Sequence, residues 1–338
     1  TPQAPPENRT STRAEAIQQE RLSRSQNLYP DTPPPMDRFL VWERDNRVFE
    51  KFTIGYQGFR AQFGHMITGS GLAFGAGYFR RDLRRNSLNL GLSAVISTKL
   101  YQRYEAEVST PLAANDRLLL GARGVWLSYP SVNFYGLGPD TEKGSRTDYH
   151  LRDVSGDGIL GVRPVKGLLV GLSGGYARFS TAPGTDDRFA STTDVFTPAE
   201  LPGLSEVNKF IRYGAFADYD WRDRPFSPSS GGRYLFRYTR YNNDSDRPYD
   251  FRRYEADIEQ YFSIFNQRRV FVIRGNATLA DPDSGNLVPF YLQPTIGGPY
   301  TMRGFRSFRF TDNNALALTG EYRWEAYSGL DMALFVDA

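Results

Sequence analysis

Residues 253–259 read RYEADIE, a stretch in which charged and apolar side chains alternate at every position. Successive side chains of a β-strand point to opposite faces of the sheet, whereas a helix distributes them around its axis. One face of this segment is therefore charged, and the other is aromatic or aliphatic. The stretch predicts a strand whose two faces meet different environments.

The same pattern recurs far away in the chain, at residues 103–108 (RYEAEV) and at residues 316–324 (LALTGEYRW). In a soluble sandwich the polar face meets bulk water and needs few opposed charges. In a membrane barrel the apolar face meets lipid and the charged face lines the lumen. Aromatic residues near strand ends, such as Trp221 and Trp324, suit the aromatic belts at a membrane surface. We therefore predict an all-β fold, a transmembrane antiparallel β-barrel.

The lengths of the connections support this prediction. Long connections lie at 129–147, 180–208 and 280–314, and the connections between them are mostly short. Short periplasmic turns opposite long external loops are typical of outer-membrane barrels. The 13 predicted strands are 50–63, 70–83, 86–98, 100–112, 117–129, 147–163, 167–180, 208–222, 232–244, 250–264, 268–280, 314–326 and 330–338.

The strand count is odd, whereas single-chain bacterial barrels have an even number of strands. The sequence also stops at Ala338, inside the last predicted strand. An open sheet edge is not viable in lipid. We therefore expect a barrel of about 16 strands when complete, of which about 13 are present and the C-terminal ones are missing.

The first 49 residues differ in composition from the rest. Proline-rich ends flank a polar middle, residues 12–26, in which Thr12 is a candidate helix cap. This segment has too few apolar residues for a core of its own. We predict a periplasmic arm over residues 1–49, partly disordered or helical, and a barrel over residues 50–338. Because the sequence begins at Thr1 without a charged and apolar leader, we also predict that a signal peptide has been removed.

The composition excludes several classes of protein. The 338 residues contain no Cys and two His, which excludes a disulfide scaffold, a zinc ribbon and an iron–sulfur protein. No apolar run is long enough for a helical membrane span. The net charge of +3 is small for a nucleic-acid binder, so no nucleic-acid partner is expected. Only five of the 41 basic residues are Lys, and this excess of Arg predicts a lumen laced with Arg–carboxylate pairs.

Two motifs with enzymatic or metal-binding counterparts have simpler explanations. Residues 171–175 (GLSGG) fit the pattern of a nucleophile elbow, but the elbow needs a helix after it, and this segment continues as a strand. Asp153, Ser155 and Asp157 resemble the start of a calcium loop, but Pro164 stands where the bidentate Glu belongs. We predict no enzymatic activity, no cofactor and no metal site.

The C-terminal part contains a series of short motifs, which are GG at 297–298, MRGFR at 302–306, FRF at 308–310, EYRW at 321–324 and LFVD at 334–337. Together they resemble the barrel of the outer-membrane assembly-factor superfamily, the bacterial surface antigen barrel of BamA and its relatives. Residues 133–138 (NFYGLG) also resemble a loop of shorter members of this family. The resemblance covers residues 50–338 and implies a location in the bacterial outer membrane.

The resemblance implies a site on the longest loop. In the family, an Arg-Gly-Phe/Tyr tip folds back into the lumen, and acids on the next two strands hold its arginine. The loop at 281–313 is therefore expected to fold inward, with Arg303 bound to Glu321 and Asp337. Gly304 would permit a tight tip and Phe305 would anchor it. The supporting residues of the motif are Gly297, Gly298, Arg306 and Arg323.

The alternation of side chains supports this site independently. Glu321 falls on the polar face of its strand, and Asp337 points away from the face that carries Leu334 and Val336. Two inward carboxylates on adjacent strands can clamp one guanidinium bidentately. Two interpretations stay open, because the cluster can act in the mechanism or can only lock the loop.

The resemblance implies a function in the insertion or translocation of proteins at the outer membrane. Family members of this kind normally carry POTRA domains before the barrel, and the segment before residue 50 has no room for one. An alternative is therefore a non-catalytic membrane anchor or docking barrel for a partner assembly. A passive pore is disfavoured because an inward loop fills the lumen. The expected partners are outer-membrane lipid, client outer-membrane proteins, and a periplasmic or surface protein that binds residues 1–49 or the long loops.

Overall fold

The computed structural model describes residues 57–83, 88–110, 117–264, 268–327 and 330–338. The predicted periplasmic arm, residues 1–49, lies outside the described residues, as do residues 50–56 of the first predicted strand. Both stay predictions.

The described residues form a 13-stranded antiparallel sheet in which consecutive strands are neighbours. The order is β1 to β11, then β14 and β15, and a separate pair, β12 and β13, lies in the loop between β11 and β14. The strands are β1 (Phe59–Gly64), β2 (Ala73–Asp82), β3 (Leu88–Ser97), β4 (Gln102–Ser109), β5 (Leu118–Phe134), β6 (Thr147–Val165), β7 (Leu168–Pro183), β8 (Val207–Asp220), β9 (Gly231–Asn243), β10 (Phe251–Ile264), β11 (Arg269–Pro282), β12 (Thr295–Ile296), β13 (Phe310–Thr311), β14 (Asn314–Tyr327) and β15 (Leu330–Asp337).

The predicted all-β fold class and its antiparallel strands are confirmed. Two differences lie at the ends of strands, where β5 extends to Phe134 and β7 to Pro183, several residues beyond the predicted limits. The register of β5 and β6 shifts between Tyr129 and Val132, around Pro130. A bulge accommodates a proline that cannot donate a ladder hydrogen bond, so the hairpin continues past it. The alternation of side chains is interrupted at this irregularity. The predicted limit of β5 was therefore too early.

The two faces of the sheet differ as the alternation requires. On the outer face, Leu172, Ile273 and Leu316 are 58–60% exposed. The inner face carries ion pairs between neighbouring strands, such as Arg212 Nη2 with Asp157 Oδ2 at 2.7 Å. An apolar outer face and a charged inner face are the pattern of a transmembrane barrel wall.

A buried aromatic core lies on the inner face, at the end of the sheet where the long connections emerge. The loop from β11 to β14 contributes Phe290, which is 1% exposed. Its ring centroid lies 5.3 Å from that of Phe134 on β5 and 4.8 Å from that of Tyr149 on β6. The neighbouring Tyr291 accepts a 2.9 Å hydrogen bond from Asn208 Nδ2 of β8. The loop therefore packs across the inner face far from its own strands.

The remaining elements are small. Within the described ranges they are one helical turn, α1 (Thr192–Val195), and two 3₁₀ turns at Lys143–Ser145 and Phe290–Leu292. Among the residues described, no helix has the length and apolar character needed to cross a membrane. The segment resembling a nucleophile elbow, 171–175, lies in the middle of β7, and the one resembling a calcium loop lies within β6.

Candidate functional site

The candidate site lies at the tip of the long loop, where two glycines shape the turn. Gly297 and Gly298 have φ of +125° and +92°. A Cβ atom on Gly297 would overlap the carbonyl oxygen of Arg306, so a larger residue does not fit there. The backbone N–H of Gly298 donates to the carbonyl of Phe305 at 3.0 Å and closes the tip.

This turn presents Arg303 to two carboxylates. Arg303 Nε and Nη2 donate to Asp337 Oδ2 and Oδ1 at 2.9 and 2.8 Å, a bidentate fork. Arg303 Nη1 donates to Glu321 Oε2 at 2.9 Å. The backbone N–H of Arg303 also donates to Asp337 Oδ2 at 3.0 Å. Four hydrogen bonds thus attach one loop residue to two strands.

The two strands hold the carboxylates in place. In the register of β14 and β15, Thr319 pairs with Asp337 and Glu321 with Phe335, so all four side chains share the inner face. Thr319 Oγ1 donates to Asp337 Oδ1 at 3.0 Å, and Arg323 Nε donates to Glu321 Oε1. The Asp337 side chain is only 6% exposed and that of Glu321 12%. Both acids are therefore positioned by groups of the sheet as well as by the loop.

The electrostatics of this Arg303 clamp (Arg303, Glu321, Asp337, with Arg323 and Phe335) are balanced. Two guanidinium groups face two carboxylates, and the Arg303 Cζ atom lies 3.3 Å from the ring centroid of Phe335. Hydrogen bonding to Asp337, despite partial burial, raises the pKa of Arg303 above its usual value. Among the described residues, no group of three His, Cys, Asp or Glu is arranged to hold a metal ion. The arrangement is suited to holding a loop.

The structure brings Arg303, Glu321, Asp337 and Arg323 together, and it gives other motif residues different positions. Gly304 lies in open space and has no left-handed backbone, so neither a close contact nor its backbone conformation requires a glycine there. The glycines that the turn requires are Gly297 and Gly298 instead. The ring of Phe305 is 45% exposed and lies 5.4 Å from that of Phe310, a contact within the loop itself.

Three residues just beyond the arginine make contacts that the sequence analysis did not predict, although Phe308 and Arg309 belong to its FRF motif. Ser307 Oγ lies 3.0 Å from Thr68 Oγ1 in the connection between β1 and β2. Phe308 adopts φ of +63°, which is unusual for a bulky residue, and packs against the buried aromatic core. Arg309 Nη1 donates a hydrogen bond of 2.8 Å to Thr141 Oγ1, in the connection between β5 and β6. The residue types Ser, Phe and Arg do not by themselves indicate which distant residues they contact.

The base of the same loop has a second clamp, which joins a loop aspartate to arginines of β9 and β10. Asp283, just after β11, accepts hydrogen bonds from Arg240 Nη1 at 2.8 Å and from Arg252 Nη2 at 2.9 Å. These two guanidinium groups hold the pKa of Asp283 well below its usual range. The loop is thus fixed by Arg–carboxylate contacts at both its base and its tip.

Comparison with known proteins identifies related chains. Residues 181–338 match the Omp85 superfamily domain. The crystal structure of BamA from Haemophilus ducreyi lacking POTRA domains 1–3 is similar with a TM-score of 0.62 at 16% identity, over 84% of this chain and 57% of that chain. CdiB from Escherichia coli is similar with a TM-score of 0.52 at 15% identity, over 79% of this chain and 47% of that chain. The present chain thus matches about half the length of these two proteins.

These similarities agree with the predicted resemblance to the BamA-like superfamily. The superfamily match covers β8 to β15 and the loop that carries Arg303. The structural matches extend the likeness in fold to most of the sheet. The Omp85 superfamily match points to the bacterial outer membrane, where an apolar outer face of this kind meets lipid.

We predict that replacing Arg303 destabilises the protein according to how many of its hydrogen bonds the new side chain can still form. Arg303→Ala leaves the nearly buried Asp337 carboxylate without its partner and should lower the free energy of unfolding by about 3 kcal/mol. Arg303→Lys keeps the charge but not the fork, and should cost about half as much. Urea unfolding in detergent micelles measures both values.

The control for this experiment is Glu325→Gln, an exposed change on the same strand as Glu321. Its free energy of unfolding should stay within about 0.5 kcal/mol of the wild-type value. Equal stability of wild type, both Arg303 variants and the control would show that the clamp does not stabilise the fold.

We also predict an acid-sensitive contribution from Asp283. Because its pKa is lower in the folded protein than in the unfolded chain, the clamp stabilises the protein above about pH 4 and weakens as the pH falls further. Wild type should therefore have a higher thermal unfolding midpoint than Asp283→Asn at pH 7, and the difference should shrink steadily as the pH falls below about 4. Asp187→Asn, at an exposed aspartate of another loop, serves as the control and should follow wild type at each pH. A difference that stays constant with pH would refute the contribution.

Proposed function

Since residues 181–338 carry an Omp85 superfamily domain on an antiparallel barrel-type sheet, we propose that this protein aids the insertion or translocation of proteins at the outer membrane. The proposed activity is not enzymatic. It consists of guiding client strands at a sheet edge while the long loop keeps the lumen in one shape.

The observation that supports the proposal is that one short segment, residues 303–307, contacts two distant parts of the sheet. At its start, Arg303 is bound to Glu321 and Asp337 on β14 and β15. At its end, Ser307 contacts Thr68 between β1 and β2. One loop tip therefore connects the first hairpin of the sheet to strands near the other end of the chain. A contact of this kind couples the position of β1 to the state of the clamp.

Strand β1 has the properties expected of a templating edge. It is six residues long and, among the described residues, pairs with β2 alone. The inner face of the adjoining strands carries Gly75 and Gly77 on β2 and Gly91 on β3, whereas the inter-strand ion pairs described above lie on later strands. Glycine-rich strands have weakly specified register and tolerate exchange of partners. A client strand can add to such an edge through backbone hydrogen bonds.

The proposal is tested by reconstituting the protein into liposomes and adding a urea-denatured outer-membrane barrel as client. The folded fraction of the client, read as its heat-modifiable band on a gel, should rise faster than in empty liposomes. Arg303→Ala, once shown to be inserted and folded, should lose most of this acceleration because its loop no longer holds the first hairpin. Glu325→Gln should retain it.

Two results would contradict the proposal. Folded wild-type protein that gives no acceleration over empty liposomes argues against an insertion role. Purification from its native membrane with one stoichiometric surface protein, and without unfolded clients, would favour the anchor or docking barrel instead.

A further inference from the structure

A row of basic residues follows the outer face at the loop end of five consecutive strands, β6 to β10. On each strand, the outer-face residue that follows the apolar band toward the long loops is Arg or Lys. The neighbour next to it in the band is an apolar or aromatic residue, for example Tyr176 beside Arg178 on β7 and Tyr254 beside Arg252 on β10. The five residues of this basic row are Arg152, Arg178, Lys209, Arg240 and Arg252.

Two of the five residues in the basic row are ion-paired, and the other three are not. Arg240 and Arg252 share Asp283, as described above. Arg152, Arg178 and Lys209 are exposed, and their side chains form no ion pair within the described part of the chain. Lys209 lies next to Asp244 in the ladder, yet only the backbone groups of these two residues bond. Three adjacent strands thus present three cations that form no ion pair, and Asp244 is the carboxylate that the ladder places beside Lys209.

The register brings these three cations close together. Arg178 on β7 is directly opposite Lys209 on β8, which places their Cβ atoms about 5 Å apart. Arg152 on β6 pairs with Ser180, two residues from Arg178, and is therefore its diagonal neighbour at about 7–8 Å. Like charges directly opposite each other destabilise a sheet. An external anion between them would remove this repulsion.

The position of the row identifies the kind of anion. The long connections emerge at the same end of the sheet, and long loops of outer-membrane barrels face the outside. The boundary between an apolar outer face and its loops is the level of the lipid headgroups, where cations at the membrane surface attract lipid phosphates. Guanidinium groups bind phosphate through paired hydrogen bonds.

We propose that Arg152, Arg178 and Lys209 form a binding site for the phosphate group of a phosphorylated lipid of the outer leaflet. The three cations supply the charge that the sheet itself does not neutralise. The site is independent of the Arg303 clamp, because it lies on the opposite face of the wall.

The test is a lipid titration of the purified protein in detergent, followed by native mass spectrometry with diphosphorylated lipid A as the probe. The variant Arg152→Gln/Arg178→Gln/Lys209→Gln should bind the probe about 100-fold more weakly, since each cation near a membrane surface contributes about 1 kcal/mol. The matched control, Arg117→Gln/Lys143→Gln/Lys166→Gln, removes the same charge from exposed turns and loops and should bind like wild type.

Two further measurements keep the test decisive. Lipid A stripped of its phosphates should bind wild type as weakly as the triple variant binds intact lipid A. If the triple variant does not fold, Lys209→Gln alone should weaken binding about fivefold. Equal affinities of wild type, variant and control, or displacement of the lipid by inorganic phosphate alone at equal concentration, would overturn the proposal. Binding is read without any client, so its failure is separate from a failure of the insertion activity.

Discussion

One guanidinium group determines where the longest loop of this protein rests. Arg303 makes four hydrogen bonds to two carboxylates on adjacent strands, and its planar fork matches the Asp337 carboxylate bidentately. The acids are themselves oriented by Thr319 and Arg323. With the tip fixed there, the rest of the loop crosses the inner face and inserts Phe290 among aromatic residues of distant strands. The buried core of the inner face is therefore built around a loop, and its geometry depends on this ion pair.

Much of the fold was predictable because the side chains of a membrane barrel alternate between lipid and lumen along each strand. Alternation located the strands, and it placed Glu321 and Asp337 on the same face as each other. The resemblance to assembly-factor barrels then supplied Arg303 as their partner. The contacts of Ser307 with Thr68 and of Phe290 with Phe134 were not predictable, since they join residues far apart in sequence through side chains without a periodic signal. The need for glycine was assigned to Gly304, whereas backbone geometry requires it at Gly297 and Gly298.

The two faces of the wall use the same residue type for different purposes. On the inner face, arginines are matched by carboxylates across the strands, as for Arg212 and Asp157. On the outer face, at the loop end, Arg152, Arg178 and Lys209 have no such partner within the described residues. Three outer-face cations without an ion pair are consistent with phosphorylated lipid on that side of the wall.

The most direct measurement uses the absence of cysteine from the sequence. Thr68→Cys and Ser307→Cys place two thiols at the contact between the loop tip and the first hairpin. The rate of disulfide formation then reports how often the two segments meet. If the clamp holds the tip against the β1–β2 connection, the bond forms rapidly in the otherwise wild-type chain and much more slowly when Arg303→Ala is added. Equal rates in the two backgrounds would show that the arginine does not position the tip, and would contradict the coupling between the clamp and the first hairpin.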